Sequence, residues 1–335
     1  QKYIPGPMFV LNDFLQAGRE YTRDFVQGLK TINMKNPIGF EFFKPPHEEF
    51  YEFLNANLND YSVEISVESH DDGVRAAFGK KHYTMEQVEE TVIAALKNGC
   101  SRFDLYFMTG IPSQTAESVR ETTDYVKHLY ERVGNDPRLL CFTSPMAPFL
   151  DPGSIAFENP EAHGYTMRAK TLEEHRQRLV MPSWKHIMNY ESHAMGPDEM
   201  VEATYDAAIG INRVKSAAGI IDPATAALTE TRIEAARVSM ARIDSIMEGP
   251  GEWREPHLKA LKDEFESVSQ STVADKTELN WPHAATFKHV AACAGLFVTE
   301  NVTNILGAGR GVTPPATSDQ HPQGSAPAAC EPTKV

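Results

Sequence analysis

The feature that most restricts how this chain can fold is a repeated alternation of strand-like and helical stretches over its first half. Met8 to Leu11 is a short apolar run ending in Asn12 and Asp13, and a helical pattern from about Leu15 to Ile32 follows, closed by Asn36-Pro37. Ile38 to Phe43 reads as the second strand, stopped at Pro45-Pro46, with a helix over His47 to Leu58 behind it. The third begins at Tyr61, where Val63, Ile65 and Val67 alternate with Glu64, Ser66 and Glu68, the period of two of a pleated segment. It breaks into Glu68, Ser69, His70, Asp71 and Asp72 and resumes as a short helix around Val74 to Phe78.

Thr84 to Gly99 is the best-marked helix. Thr84 is an N-cap candidate with Gln87 three residues on, Met85, Val88, Val92 and Leu96 form the apolar stripe, and Gly99 supplies the stop. Phe103 to Met108 is the fourth strand and ends in Thr109-Gly110-Ile111-Pro112. A helix from about Thr115 to Val133 precedes the fifth strand, Leu139 to Thr143. Strands separated by helices build a parallel sheet, because parallel neighbours need a crossover of that length. The fold class is therefore α/β. Ligands bind at the C-terminal strand edge of such folds, whether the sheet is closed into a barrel or open and doubly wound. The pattern leaves both arrangements open, although no Gly-rich phosphate fingerprint follows any strand.

Beyond Asp151 the character changes. Residues 151–195 are rich in Pro, His, Tyr and Trp and read as a long ordered excursion, of the kind that serves as a functional loop or lid. Helices then dominate residues 196–306, expected at about Pro197 to Ala218, Pro223 to Met247, Pro256 to Val268 and Pro282 to Leu306. Residues 307–335 are low in complexity and read as a disordered tail, in which GAGRG lacks the flanking strand and helix of a nucleotide loop. The formal charge of −14 argues against general binding to nucleic acid or anionic membranes, and no run of apolar residues is long enough for a membrane span. The four cysteines, Cys100, Cys141, Cys293 and Cys330, are too scattered for a metal knuckle or a disulfide framework and fit a cytoplasmic location, with Cys100 and Cys141 as core thiols.

The combination VEISVESHDDGVRAAFGKKHYT and, further on, NGCSRFDLYFMTGIPSQTAESVRETTDYV resembles the second half of a radical S-adenosylmethionine domain. FTSPMAPFLDPGSIAFENPEAHGY, TLEEHR, PSWKHIMNYES and the helical remainder resemble, more narrowly, the class with an N-terminal cobalamin-binding domain. The resemblance runs from about Met8 to Ile221 and more loosely to Leu306. It implies a partial TIM-type β/α barrel over residues 1–150, followed by a mainly helical region. It also implies reductive cleavage of S-adenosylmethionine to a 5′-deoxyadenosyl radical, linked to cobalamin, with methyl transfer or rearrangement as the outcome. The family holds a 4Fe-4S cluster with C-x3-C-x2-C, and this sequence contains no such motif. The chain is accordingly read as a C-terminal portion that supplies walls of the cofactor cradle and of the substrate pocket, and as inactive by itself. The full-length enzyme is expected to take a small-molecule substrate and a flavodoxin- or ferredoxin-type reductant. The competing reading is an inert binding module derived from such a barrel.

By the same resemblance, Glu68 and Ser69 are candidates for holding the ribose or the amino-acid end of S-adenosylmethionine, since a carboxylate accepts from hydroxyl and ammonium groups alike. The rival for Glu68 is a rim ion pair with a nearby Lys or Arg. Glu41, set among Phe40, Phe42 and Phe43, is either a ribose or substrate contact or the partner of Lys44 or Arg75. Gly110, Ile111 and Pro112 shape a turn at the adenine, with Met108 or Ile111 against the ring. Asn12 and Asp13 end the first strand, as rim ligands or a helix cap. His163, His175, His186 and His193, with Glu173, Glu174 and Glu191, match no metal-ligand spacing and are expected to be hydrogen-bonded or solvated. Trp184, Met188 and Tyr190 are expected to pack the excursion onto the barrel in preference to facing a corrin ring, and Arg75 and Arg102 to make rim ion pairs.

Overall fold

The chain, seen in a computed structural model, is described over residues 7–145 and 150–268 and at positions 294, 295 and 298. It separates into two compact units, Gln1–Asn280 and Trp281–Val335, and every element named below lies in the first. The helix expected over 282–306, apart from those three positions, and the tail at 307–335 lie outside the described residues, as do Cys293 and Cys330.

Five parallel strands, β1 (Met8–Val10), β2 (Ile38–Phe42), β3 (Tyr61–Glu68), β4 (Arg102–Thr109) and β5 (Leu139–Pro145), pair in the order of the sequence. A doubly wound sheet reverses its strand order at a switch point, and this one never does. Sequential order is that of a β/α barrel, in which each crossover adds the next strand on the same side. The intervening helices are α1 (Arg19–Thr31), α2 (Glu48–Asn57), the short α3 (Asp72–Ala77), α4 (Met85–Lys97) and α5 (Ala116–Arg132).

The period-two pattern of β3 decides which face meets the helices. Tyr61, Val63, Ile65 and Val67 are buried, and in register with them stand Phe40 and Phe42 of β2, Phe103 and Leu105 of β4, and Cys141 of β5. From the helix side come Val88, Val92, Val126 and Leu129, all fully buried. Burying a side chain of this size contributes about 1.5–3 kcal/mol, so this layer is the main stabilising term of the unit. The capping box read from the sequence is present, with Thr84 and Gln87 reciprocally bonded on α4, and Thr115 caps α5 in addition. Cys100 and Cys141 are free, buried thiols.

Residues 151–195 fold into α6 (Ile155–Glu158), β6 (Tyr165–Met167), α7 (Leu172–Leu179), α8 (Trp184–Ile187) and β7 (Tyr190–Ser192), with β6 and β7 paired antiparallel. These two strands are too short to show periodicity, and the sequence reading missed them. Three long helices follow: α9 (Pro197–Ala217), α10 (Pro223–Glu248) and α11 (Gly251–Val268). The expected start of the last at Pro256 is corrected: the helix begins at Gly251 and Pro256 lies inside it. Trp253 N–H donates to the Pro250 carbonyl, opening the helix early, and a proline this near the N-terminus removes only one backbone hydrogen bond. No helix among the described residues is long and apolar enough to cross a membrane.

Candidate functional site

Glu68, Ser69 and the Gly110-Ile111-Pro112 turn gather at the C-terminal edge of the adjacent strands β3 and β4. Between Ser66 and Glu68 the register of β3 against β4 shifts, so Val67 is an extra residue and the strict alternation ends. Glu68 takes a left-handed backbone, φ 64°, and its side chain turns into the protein, leaving the residue 3% exposed. A non-glycine residue held in that conformation is strained, a condition that collects at functional sites. Ser69, equally buried, accepts from the Asp71 N–H, and Asp71 in turn caps α3 by accepting from Gly73 and Val74.

Glu68 has one oxygen engaged and one bare. Lys80 Nζ donates to its Oε1 at 2.6 Å and to the Ser66 carbonyl at 2.5 Å, whereas Oε2 is buried with no partner. Burial pushes the carboxyl up to about 7, against the pull of Lys80 and, more weakly, Arg75. The rim ion pair anticipated as the rival role of Glu68 therefore exists, with Lys80, and occupies half of the carboxylate.

Arg75 makes the ion pair expected of it, with Asp72, but does so as a buried residue. It is 1% exposed, donates to Asp72 at 2.5 Å and to the Tyr83 carbonyl at 2.9 Å, and lies over the Tyr83 ring. Its Nε and Nη1 and the Tyr83 hydroxyl have no partner. Beside them His70 is hydrogen-bonded to Thr122 Oγ1 at 3.2 Å and stacked on Tyr125, and burial lowers its pKa.

On the neighbouring strand, Gly110 has φ 87°, and a Cβ there would stand 2.8 Å from Met200 Sδ. The turn is clamped on both sides. Gly110 N–H donates to Gln114 Oε1, Gln114 Nε2 donates to the Met108 carbonyl, and the Tyr165 hydroxyl donates to the Gly110 carbonyl. Ile111 is fully buried in a second apolar cluster with Tyr165, Met188, Tyr190 and Met200, and Pro112 is buried as well. Met108 is only partly buried and remains the more accessible apolar side chain of this strand end.

Glu41 lies apart from this group. Its register partner is Glu64, four residues before Glu68, or about 13 Å along the strand. Its Oε2 accepts from the Asn12 N–H at 2.9 Å, and it forms no ion pair with Lys44 or Arg75. The structural alternative offered for Glu41 is thus corrected: the partner is a backbone amide, presented by Asn12 at φ 68°. Asp13 is the cap of the 3-10 turn Phe14–Ala17, accepting from Leu15 N–H, and also accepts from Phe43 N–H.

The pairing reveals a carboxylate ladder that sequence reasoning missed. Glu41, Glu64 and Asp104 stand at one level on three adjacent strands, on the face turned away from the helices. Burial, then Glu41 and Asp104, push the Glu64 carboxyl up to about 7, while Arg102 pulls the other way. Arg102 Nε donates to both oxygens of Asp104, at 2.8 and 2.9 Å, the rim pairing expected of it. The polar alternation of β3 was a usable signal for Glu64. Its alignment with Asp104 depends on register, which no local pattern contains.

The histidines are hydrogen-bonded, as expected. His163 donates to Asn159, His175 Nδ1 to the Thr171 carbonyl, His186 meets Ser183 and Asp244, and His193 meets Thr166 and Glu161. Glu173 binds Arg176, Glu174 completes the cap of α7, and Glu191 pairs with Arg168. Among the described residues no three His, Cys, Asp or Glu side chains could hold a metal ion. Met188 and Tyr190 pack the excursion onto the strand ends, and Trp184 donates to the Tyr205 hydroxyl of α9.

No protein-family model matches the sequence, and no curated protein does. Among solved structures the chain is similar to the radical S-adenosylmethionine methyltransferase TsrM from Kitasatospora setae, determined with cobalamin and a 4Fe-4S cluster bound. The identity is 13%, the TM-score 0.42, and the match covers 78% of this chain and 53% of that one. It is also similar to QR15, an aldolase, at 15% identity and a TM-score of 0.26 over 64% of this chain and 96% of that one. The chain spans about half the length of the TsrM structure.

Proposed function

We propose that the chain is part of a radical S-adenosylmethionine enzyme and forms one wall of the cofactor cradle together with part of the substrate wall. The reading draws on the combined motifs VEISVES and MTGIPSQTAES, which fall on the ends of two adjacent strands, β3 and β4. The single observation that carries it is the bare, buried Oε2 of Glu68 at a bulged, left-handed strand end. A buried carboxylate oxygen without a donor is costly unless a ligand supplies one. The ribose hydroxyls or the ammonium group of S-adenosylmethionine are such donors, with Ser69 beside them. The Gly110 N–H and carbonyl are held by Gln114 and Tyr165, so the turn at Gly110, Ile111 and Pro112 serves adenine as a packing wall, with Met108 as the side chain placed on the ring. Glu41, farther down the strands, faces the substrate side with Glu64.

The donor set does not fit an iron–sulfur cluster. Cys100 and Cys141 are buried in the helix-facing layer, and burial pushes both thiols up to about 12. No cluster chemistry is therefore assigned to these residues. In this proposal the cluster, cobalamin and a flavodoxin- or ferredoxin-type reductant are supplied from outside the residues described here. The cofactor supplies the reactive chemistry, and this chain's residues bind, orient and exclude water.

Equilibrium dialysis with labelled S-adenosylmethionine tests the reading. Saturable binding, competed by S-adenosylhomocysteine and weakened roughly tenfold, or about 1.4 kcal/mol, by Glu68→Gln, is the expected result. Absence of saturable binding to the chain, with folding verified by circular dichroism, would leave the inert-module reading in its place.

A further inference from the structure

The contact between Lys80 and Glu68 carries more than a rim ion pair. Lys80 follows Gly79, whose φ is 95°, and the neighbouring Gly79, Lys81 and His82 are all exposed. The Lys80 side chain folds back from this surface loop and is only 17% exposed. Its ammonium meets three kinds of group at once: Glu68 Oε1, the Ser66 carbonyl at the register shift, and the Phe43 ring, 5.9 Å from its centroid. Carboxylate, carbonyl and aromatic face together are the recognition set for an organic cation. An ion pair that had formed for stability alone would be expected to satisfy the carboxylate. Here Oε2 is left buried and bare, so the cage has capacity for a donor that Lys80 does not supply.

We propose that Glu68, the Ser66 carbonyl and Phe43 form a binding site for the cationic group of an organic ligand, a primary ammonium or a sulfonium, and that Lys80 is its tethered, displaceable occupant. S-adenosylmethionine carries both cations, so the identity of the ligand rests on the cofactor reading above, whereas the cage itself does not. A ligand must displace Lys80, and its apparent affinity is reduced by the fraction of time the cage is free. Because Lys80 sits on a short loop, its effective concentration at the cage is in the millimolar range or higher. Occupancy of nine-tenths by Lys80 would weaken a cation roughly tenfold.

The test compares the wild-type chain with Lys80→Met and Lys80→Gln, each checked for folding by circular dichroism. The probes are n-butylammonium, trimethylsulfonium, S-adenosylmethionine and the neutral 5′-methylthioadenosine. In the expected result the cationic probes bind the Lys80 variants roughly tenfold tighter than wild type, 5′-methylthioadenosine gains nothing, and adding Glu68→Gln erases the gain. In the wild-type chain, n-butylammonium should shift the Lys80 ammonium resonance to its solvent-exposed position, a readout that needs no variant. A gain for the small cations without S-adenosylmethionine binding would uphold the cage and sink the cofactor reading. Equal S-adenosylmethionine affinity in wild type and both variants, with an unmoved Lys80 resonance, would overturn the cage and spare the cofactor reading.

Discussion

Gly210 of α9 packs directly onto Thr123 of α5, so closely that a Cβ at position 210 would stand 2.8 Å from Thr123 Cγ2 and closer still to its hydroxyl. The two helices meet at a point where neither can carry another atom. Replacing an exposed helical glycine by alanine stabilises by up to about 1 kcal/mol, because the unfolded chain loses freedom. Overpacking a tight contact costs about 1–3 kcal/mol, and here that effect is the larger. Gly210→Ala is expected to lower stability by about 1–2 kcal/mol in urea denaturation. Thr123→Ser in the same background should restore part of the loss by removing the methyl group.

Asn189 ties the later part of the excursion to its start at Leu150 and is fully buried. Its Oδ1 accepts from Leu150 N–H at 2.8 Å, its Nδ2 donates to the Leu150 carbonyl at 3.0 Å, and its own carbonyl accepts from Arg168 and Ala169. Asn189→Ala strips both partners from a buried peptide group, at a cost of about 1–3 kcal/mol for each group left bare. The expected outcome is local: faster limited proteolysis and amide exchange within 150–195, with little change in the β2 to β4 strands. Equal loss of protection throughout the sheet would show that the excursion is not a separately opening unit.

Glu64 gives the fold a pH dependence of definite sign. Its folded pKa of about 7 lies above the ordinary 4.5, so the folded state favours the neutral acid. The stability contributed by Glu64 is whole below pH 4.5 and is lost as pH rises through about 7. Glu68 is raised to about 7 as well and adds to the same window. Glu64→Gln should flatten part of the decline between pH 5 and 7 and be the more stable protein at pH 8, by about 1–2 kcal/mol once its half-buried setting is allowed for. Denaturation midpoints across that range measure it. A parallel decline in wild type and variant would contradict the assignment.

Local signals were legible in the sequence and non-local ones were not. The alternation of Tyr61 to Val67, the Thr84–Gln87 box and the stripe Met85, Val88, Val92 and Leu96 are written within a few residues of one another, and all appear in the fold. The sequential strand order, which separates a barrel-type sheet from a doubly wound one, exists only once the strands pair. The same holds for the ladder of Glu41, Glu64 and Asp104, whose members come from three strands. An ion pair of Glu68 with a nearby Lys or Arg was legible, but that Lys80 is the partner was not, because the link closes only after α3 turns the chain back on itself. Asn189 gave no signal either, since one buried asparagine in an aperiodic stretch looks like any loop residue.

Gly110 allows backbone conformation and packing to be separated by experiment. Its φ of 87° disfavours any residue with a Cβ, at about 1–2 kcal/mol, and its added Cβ would press on Met200 Sδ and Cε. Gly110→Ala therefore meets two obstacles, and Met200→Ala in combination removes only the second. Met200 alone is a buried side chain whose truncation costs about 2–5 kcal/mol, so the pair must be compared by a double-mutant cycle. The expected coupling is favourable, because in the double variant the alanine at 110 enters the space Met200 vacates. The remaining strain should show at the turn: weaker protection of the Gly110 N–H, which is held by Gln114, and weaker S-adenosylmethionine binding if this turn edges the adenine. Coupling near zero, with the Gly110 N–H fully protected, would mean that the turn tolerates a side chain and that glycine is not required there.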